Sequence, residues 1–149
     1  VGKLMSFPAD KDDTDAELAV LYAVEHYPNS EIYIYNWYGG RIDHMYSILL
    51  LAVQKRFERS IQSLYYVSEK NHISFYLPGE HELTKMRKMD YLSFVLLTAV
   101  EHLSLYDVKY TLEDKSFEQP LALISNEFID NKASFSFKNG IIAAVQSRD

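Results

Sequence analysis

The segment Glu31–Tyr38 alternates cleanly and is fenced on both sides, and this most constrains the fold. Ile32 and Ile34 fall on one face and Tyr33, Tyr35 and Trp37 on the other, the period-2 pattern of a half-buried strand. Pro28-Asn29-Ser30 breaks the chain before it and Gly39-Gly40 ends it. The flanking segments carry a different period. Asp12-Asp13-Thr14-Asp15 offers capping oxygens, and Asp15 and Glu17 suit the positive end of a helix dipole, so a helix is expected to run to about His26. A second helix is expected from Ile42 to about Glu58, apolar nearly all round over Met45–Val53 and wet at Lys55, Arg56 and Arg59.

Further along, Ile61–Val67 and His72–Leu77 read as a hairpin over Glu69-Lys70-Asn71. Glu80–Leu103 reads as the longest helix, with Leu83, Met86, Tyr91, Leu92, Val95, Leu96, Ala99 and Val100 as its apolar face. Asp107–Leu112 is an expected strand and Leu121–Ile124 a short apolar segment. Asn139-Gly140 is the strongest hairpin signal, joining Ala133–Phe137 to Ile141–Val145. The expected fold class is α+β: an antiparallel sheet with helices mainly on one face, in ferredoxin-like split βαβ order over 31–112, plus a C-terminal hairpin. Residues 1–149 are expected to form a single domain, with 1–12 flexible. Leu21–His26 recurs as Leu97–His102 with five of six residues identical, a candidate internal duplication.

Composition narrows the function classes. At 149 residues and 48 % apolar content, the chain can build its own core, and the lack of cysteine excludes a disulfide framework, thiolate zinc sites and a Cys nucleophile. A net charge of −6 disfavours nucleic acid, because phosphate backbones are repelled. The longest apolar run, Ile48–Val53, or Met45–Val53 if Ser47 is allowed, falls far short of the roughly 20 residues that span a bilayer, so no membrane partner is expected. Val1–Asp15 holds no apolar signal-peptide segment, which points to no secretory leader and a cytoplasmic setting.

Linear motifs for chemistry are absent. No HExxH, nucleophile elbow or phosphate-cradling glycine loop occurs, and the expected assignment is no catalytic residue, no metal site and no cofactor. Gly39-Gly40-Arg41 could hold an anion locally, although a plain tight turn explains it as well. The 21 aromatics are the most informative feature, many of them tyrosines in strands. With an acidic rim from Asp12, Asp13 and Asp15, the face carrying Tyr33, Tyr35 and Trp37 reads as a partner-binding surface. The leading expectation is therefore a non-catalytic protein-binding module for a basic protein partner, in the manner of an immunity protein, an inhibitor or a secretion chaperone. The alternative is a small enzyme or ligand-binding domain in which some of Glu25, His26, Asp43, His44, Glu101 and His102 converge in a cleft. A homodimer through the aromatic face or the Ala133–Val145 hairpin edge is the third.

Overall fold

Thr14 caps the first helix, its hydroxyl accepting the Glu17 N–H at 3.2 Å, and α1 runs Asp15–His26 as the sequence predicts. The computed structural model describes residues 2–6 and 13–149, so most of the stretch expected to be flexible, and Asp12 with it, lies outside the described residues. β1 is short, Ile32–Ile34, and is followed by α2 at Ile42–Leu50. The chain then tightens into 3-10 turns, Leu51–Val53 and Lys55–Ser63, with Gln54 extended between them. The helix expected to reach Glu58 is thus cut at Leu50. Packing explains the cut: Leu51, Ala52, Phe57 and Ile61 are all wholly buried, and at 100° per residue one straight helix could not turn all four to one side.

β2 (Leu64–Val67) and β3 (Asn71–Tyr76) form the predicted hairpin, with Tyr66 opposite Ile73. β1 lies parallel to β2, Ile32 against Leu64, so β1, α2 and β2 make a crossover unit. The remaining strands are β4 (Gly79–Thr84), β5 (Tyr91–Leu96), β6 (Val100–Tyr106), β7 (Leu112–Phe117), β8 (Leu121–Asn126), β9 (Lys132–Lys138) and β10 (Ile142–Ser147). They assemble into a six-stranded sheet ordered β1-β2-β3-β10-β5-β8 and a four-stranded sheet ordered β4-β9-β6-β7. Apart from the β1–β2 pair, every pairing within the two sheets is antiparallel.

The six-stranded sheet is the middle of three layers. Leu92, Phe94 and Leu96 of β5 and Ile142 and Ala144 of β10 face the four-stranded sheet and pack on Leu103, Leu105, Phe135 and Phe137. Ala143, Tyr66, Ile73 and Phe75 face the other way, onto Val20, Ile48, Leu51, Phe57 and Ile61 of the helical layer. Helices therefore cover one face of this sheet, in keeping with the α+β expectation. Because β10 is buried on both faces, its sequence is an apolar run from Ile141 to Val145 rather than an alternation.

Three expectations are corrected. Glu80–Leu103 is not a helix but β4, a turn, β5 and the start of β6, and with it goes the split βαβ order. The segment satisfies both periods, since Leu92, Phe94 and Leu96 alternate toward one core while Val95 packs on the other. Asn139 (φ 52°) and Gly140 (φ 95°) do turn the chain, but they carry it from β9 in one sheet to β10 in the other, and the two strands do not pair. Both strands are interior in their sheets, so Ala133–Val145 offers no free edge for a second copy. Finally, Leu21–His26 is helical while Leu97–His102 is a turn leading into β6, so the two similar stretches are not structural repeats.

Candidate functional site

In a sheet with a parallel crossover, ligands sit beyond the carboxyl end of the strand, where the loop leads into the following helix. That loop here is Tyr35–Arg41, and its path depends on three left-handed residues, Asn36 (φ 57°), Gly39 (φ 89°) and Gly40 (φ 64°). It delivers the chain to the N-terminus of α2, whose cap Arg41 makes no side-chain capping bond. Beside it opens a concavity of about 620 Å³, walled by Asp15 and Ala19 of α1, Ile34, Tyr35 and Asn36 at the strand end, and His44 of α2. Arg41 and Asp43 are paired at 2.5 Å, and the Asp43 carboxyl is held low by that bond and by the His44 N–H. A backbone turn rich in left-handed residues, a helix N-terminus and an arginine make a surface suited to an anion.

Arg56 ties the acidic end of α1 to the 3-10 segment. Its guanidinium donates to both Asp13 oxygens at 3.0 Å and to Glu17 at 2.7 Å. The Arg56 hydrogen bond holds the Asp13 carboxyl below its ordinary value. A carboxyl depressed in the folded state stabilises fully above the unfolded value of about 3.9, and that contribution is lost as pH falls through the lower native value. Hydrogen exchange at the first turn of α1 is therefore expected to speed up as pH drops below about 4 relative to the core strands, once intrinsic rates are removed. In Arg56→Gln the same turn should exchange fast already at neutral pH. Equal protection of the turn in both proteins across that range would refute the tether.

A second candidate lies at the open side of the sandwich, between edge strands β7 and β8. It is a slot of about 340 Å³, lined by Leu105, Tyr110, Leu112, Leu123, Ile124 and Asn126 among others. Asn126 is buried and organises one wall: its Oδ1 accepts the N–H groups of Tyr110 and Glu127, and its Nδ2 donates to the Tyr110 carbonyl at 2.9 Å. The Tyr110 ring stays exposed at the mouth. Apolar walls with one fixed polar group suit a small flat ligand. A larger concavity, about 910 Å³, runs over the four-stranded sheet alone, floored by Ser104 and Ser136 and flanked by His102 and Asp114, 2.6 Å apart. With no wall from a second layer, it is a trough rather than a slot.

The residues singled out in the sequence are dispersed. Tyr33 and Tyr35 are exposed as expected, Tyr33 stacking on Tyr65 at 5.0 Å and donating to Glu31. Trp37 does not share their face. β1 stops at Ile34 and Asn36 turns left-handed, so the alternation is lost and Trp37 is buried against Tyr38 and Tyr66. Asp13 is bound to Arg56, and Asp15 lines the first concavity. Of the acids and histidines expected to converge, His44 lines that concavity and His102 the trough, while His26 stacks on Tyr22 at the end of α1. Among the described residues no group of three or more His, Asp or Glu gathers as a metal site. Sequence reasoning missed Asn126 and Tyr110; the signal available was a lone Asn in the run Leu121–Phe128, which has no meaning until the strand is placed at a sheet edge.

The fold is thus a parallel crossover unit and a β-sandwich built on one shared sheet, with a concavity in each part. Comparison with known proteins divides the chain in the same way. Residues 2–72 match the family described as "Thiamin pyrophosphokinase, catalytic domain" and residues 80–142 the one described as "Thiamin pyrophosphokinase, vitamin B1 binding domain". A thiamin pyrophosphokinase family protein from Enterococcus faecalis superposes with a TM-score of 0.94 at 39 % identity, over 99 % of this chain and 69 % of that one. The thiamine pyrophosphokinase of Bacillus subtilis (strain 168) is 33 % identical over 96 % of this chain and 66 % of its own length, and its crystal structure gives a TM-score of 0.83. The chain belongs to the thiamin pyrophosphokinase family, and it spans just under two-thirds of that Bacillus relative. Membership overturns the expectation of a non-catalytic module for a basic protein, whether immunity protein, inhibitor or chaperone, and favours the small-molecule alternative. Among the described residues no helix is long and apolar enough to cross a membrane.

Proposed function

We propose that this chain takes part in pyrophosphoryl transfer to thiamin. The thiamin hydroxyl oxygen attacks the β-phosphorus of a nucleoside triphosphate as its proton passes to water, the bond from that phosphorus to the bridging oxygen breaks, and a nucleoside monophosphate leaves with that oxygen and the electron pair. The observation that carries this reading is that the first matched stretch holds the concavity beside the strand-to-helix turn and the second holds the apolar slot walled by Asn126 and Tyr110. The Gly39-Gly40-Arg41 turn and the N-terminus of α2 supply N–H donors and positive charge for the triphosphate. The slot under Tyr110 supplies an apolar bed and an aromatic face for the thiamin rings, whose cation suits stacking. A divalent cation would supply charge neutralisation for the phosphates here, and Mg²⁺ takes only one or two protein carboxylates. Asp15, at the edge of the concavity, would be one such ligand. A cytoplasmic location, where nucleoside triphosphate is abundant, goes with this reading.

The test is calorimetry with thiamin, together with an assay for thiamin diphosphate formation. Tyr110→Ala is expected to weaken thiamin binding roughly tenfold, about the worth of one aromatic stack, while leaving thermal stability unchanged. Failure of the native protein to bind thiamin would overturn the reading.

A further inference from the structure

We infer that Trp37 is a positioning residue of the phosphate-binding turn, whose indole N–H gains an oxygen acceptor when that turn closes on a triphosphate. The inference rests on the proposed function and assigns that site a residue outside its exposed surface. Trp37 is the chain's one tryptophan and is 6 % exposed. Among the buried side chains described, its Nε1 is the polar atom with no hydrogen-bond partner. Its neighbour Tyr66 is buried too, yet the Tyr66 hydroxyl donates to the Ile48 carbonyl of α2 at 2.6 Å. An indole serving only as filler would be better replaced by phenylalanine, because a buried donor without an acceptor destabilises the fold.

The position of this orphan is what gives it meaning. Trp37 follows Asn36, which lines the concavity and is left-handed, and precedes Gly39 and Gly40, also left-handed. A Cβ built at either glycine meets nothing within 4 Å, so these glycines serve backbone freedom rather than close packing. Left-handed residues therefore flank the indole on both sides along the turn. Meanwhile the ring is anchored against Tyr66, 6.1 Å between centroids, and Tyr66 is itself bonded to α2. Movement of the turn toward a bound phosphate chain would redirect its backbone oxygens around a fixed indole N–H, and the hydrogen bond so formed would hold the closed turn.

Trp37→Phe keeps the ring and removes the donor, which separates the two roles. The unliganded variant is expected to melt at the same temperature as the native protein or higher. Its affinity for a non-hydrolysable ATP analogue, read by calorimetry, should fall about fivefold to tenfold, the worth of one hydrogen bond, with the KM for nucleotide rising and that for thiamin unchanged. Unchanged analogue affinity would overturn the inference. Should the variant fail to fold, native emission decides the matter: a saturable shift on titration with the analogue supports closure, and binding heat without a shift overturns it. If the native protein takes up no analogue at all, the proposed function falls and this inference with it.

Discussion

Gly140→Ala should destabilise the protein by about 2–5 kcal/mol, from strain and overpacking together. Gly140 sits at φ 95°, where an L side chain is unfavourable by about 1–2 kcal/mol. Space is the larger problem. An added Cβ would lie 2.2 Å from the Ala99 carbonyl oxygen and 2.5 Å from Thr98 Oγ1, the hydroxyl that accepts the Ile141 N–H. The carbonyl belongs to the β5–β6 link and cannot swing aside as the end of a flexible side chain could. Gly39→Ala is the control: its φ is 89° but nothing lies near, so only the conformational part, about 1–2 kcal/mol, should be lost. Urea unfolding of both variants checks the comparison. Equal losses would mean that the contact at Gly140 relaxes freely.

Phe135→Ala should cost about 3–5 kcal/mol, the usual range for a large aromatic in a closed core. Phe135 is 1 % exposed on β9, and its ring is the joint between the two sheets. It meets Tyr76 of β3 at 5.0 Å and Phe94 of β5 at 5.2 Å, both nearly edge-on, and His81 of β4 at 5.2 Å. Neighbours on three strands in two layers cannot all move in to fill the space, which puts the expected loss toward the upper end. Thermal or urea unfolding measures it, and a loss under about 2 kcal/mol would show that the layers collapse onto the gap.

How much of this was legible in the sequence varied with how local the cause was. Thr14 and its acidic first turn fixed the start of α1 from side chains within three residues, and that reading stands. The β2–β3 hairpin was equally local. Glu80–Leu103 misled because burial on both faces erases the alternation that marks a strand, leaving an apolar stretch that fits a helix template. Asn139-Gly140 was rightly read as a turn, yet whether a turn closes a ladder or carries the chain between layers depends on partners 40 or more residues away, such as Thr98. The site was least legible of all. Gly39-Gly40-Arg41 was visible as an anion-binding option, but its place at the carboxyl end of a strand parallel to its neighbour was not. Asn126 and Tyr110 draw their significance from the gap between two sheet edges, and nothing in their spacing announces it. The exposure of Tyr33 and Tyr35 was foreseen, while Trp37 was misplaced by a single left-handed residue.

The position of β10 bears on how the molecule can be made. It is last in chain order among the strands, yet it lies between β3 and β5 and contributes to both cores. Without Ile142–Ser147 in place, β3 and β5 have no strand to separate and join them, and the core between the two sheets lacks Ile142 and Ala144. The facing edges of β3 and β5 stay unpaired until Ile142–Ser147 docks between them, so both sheet edges close in one event.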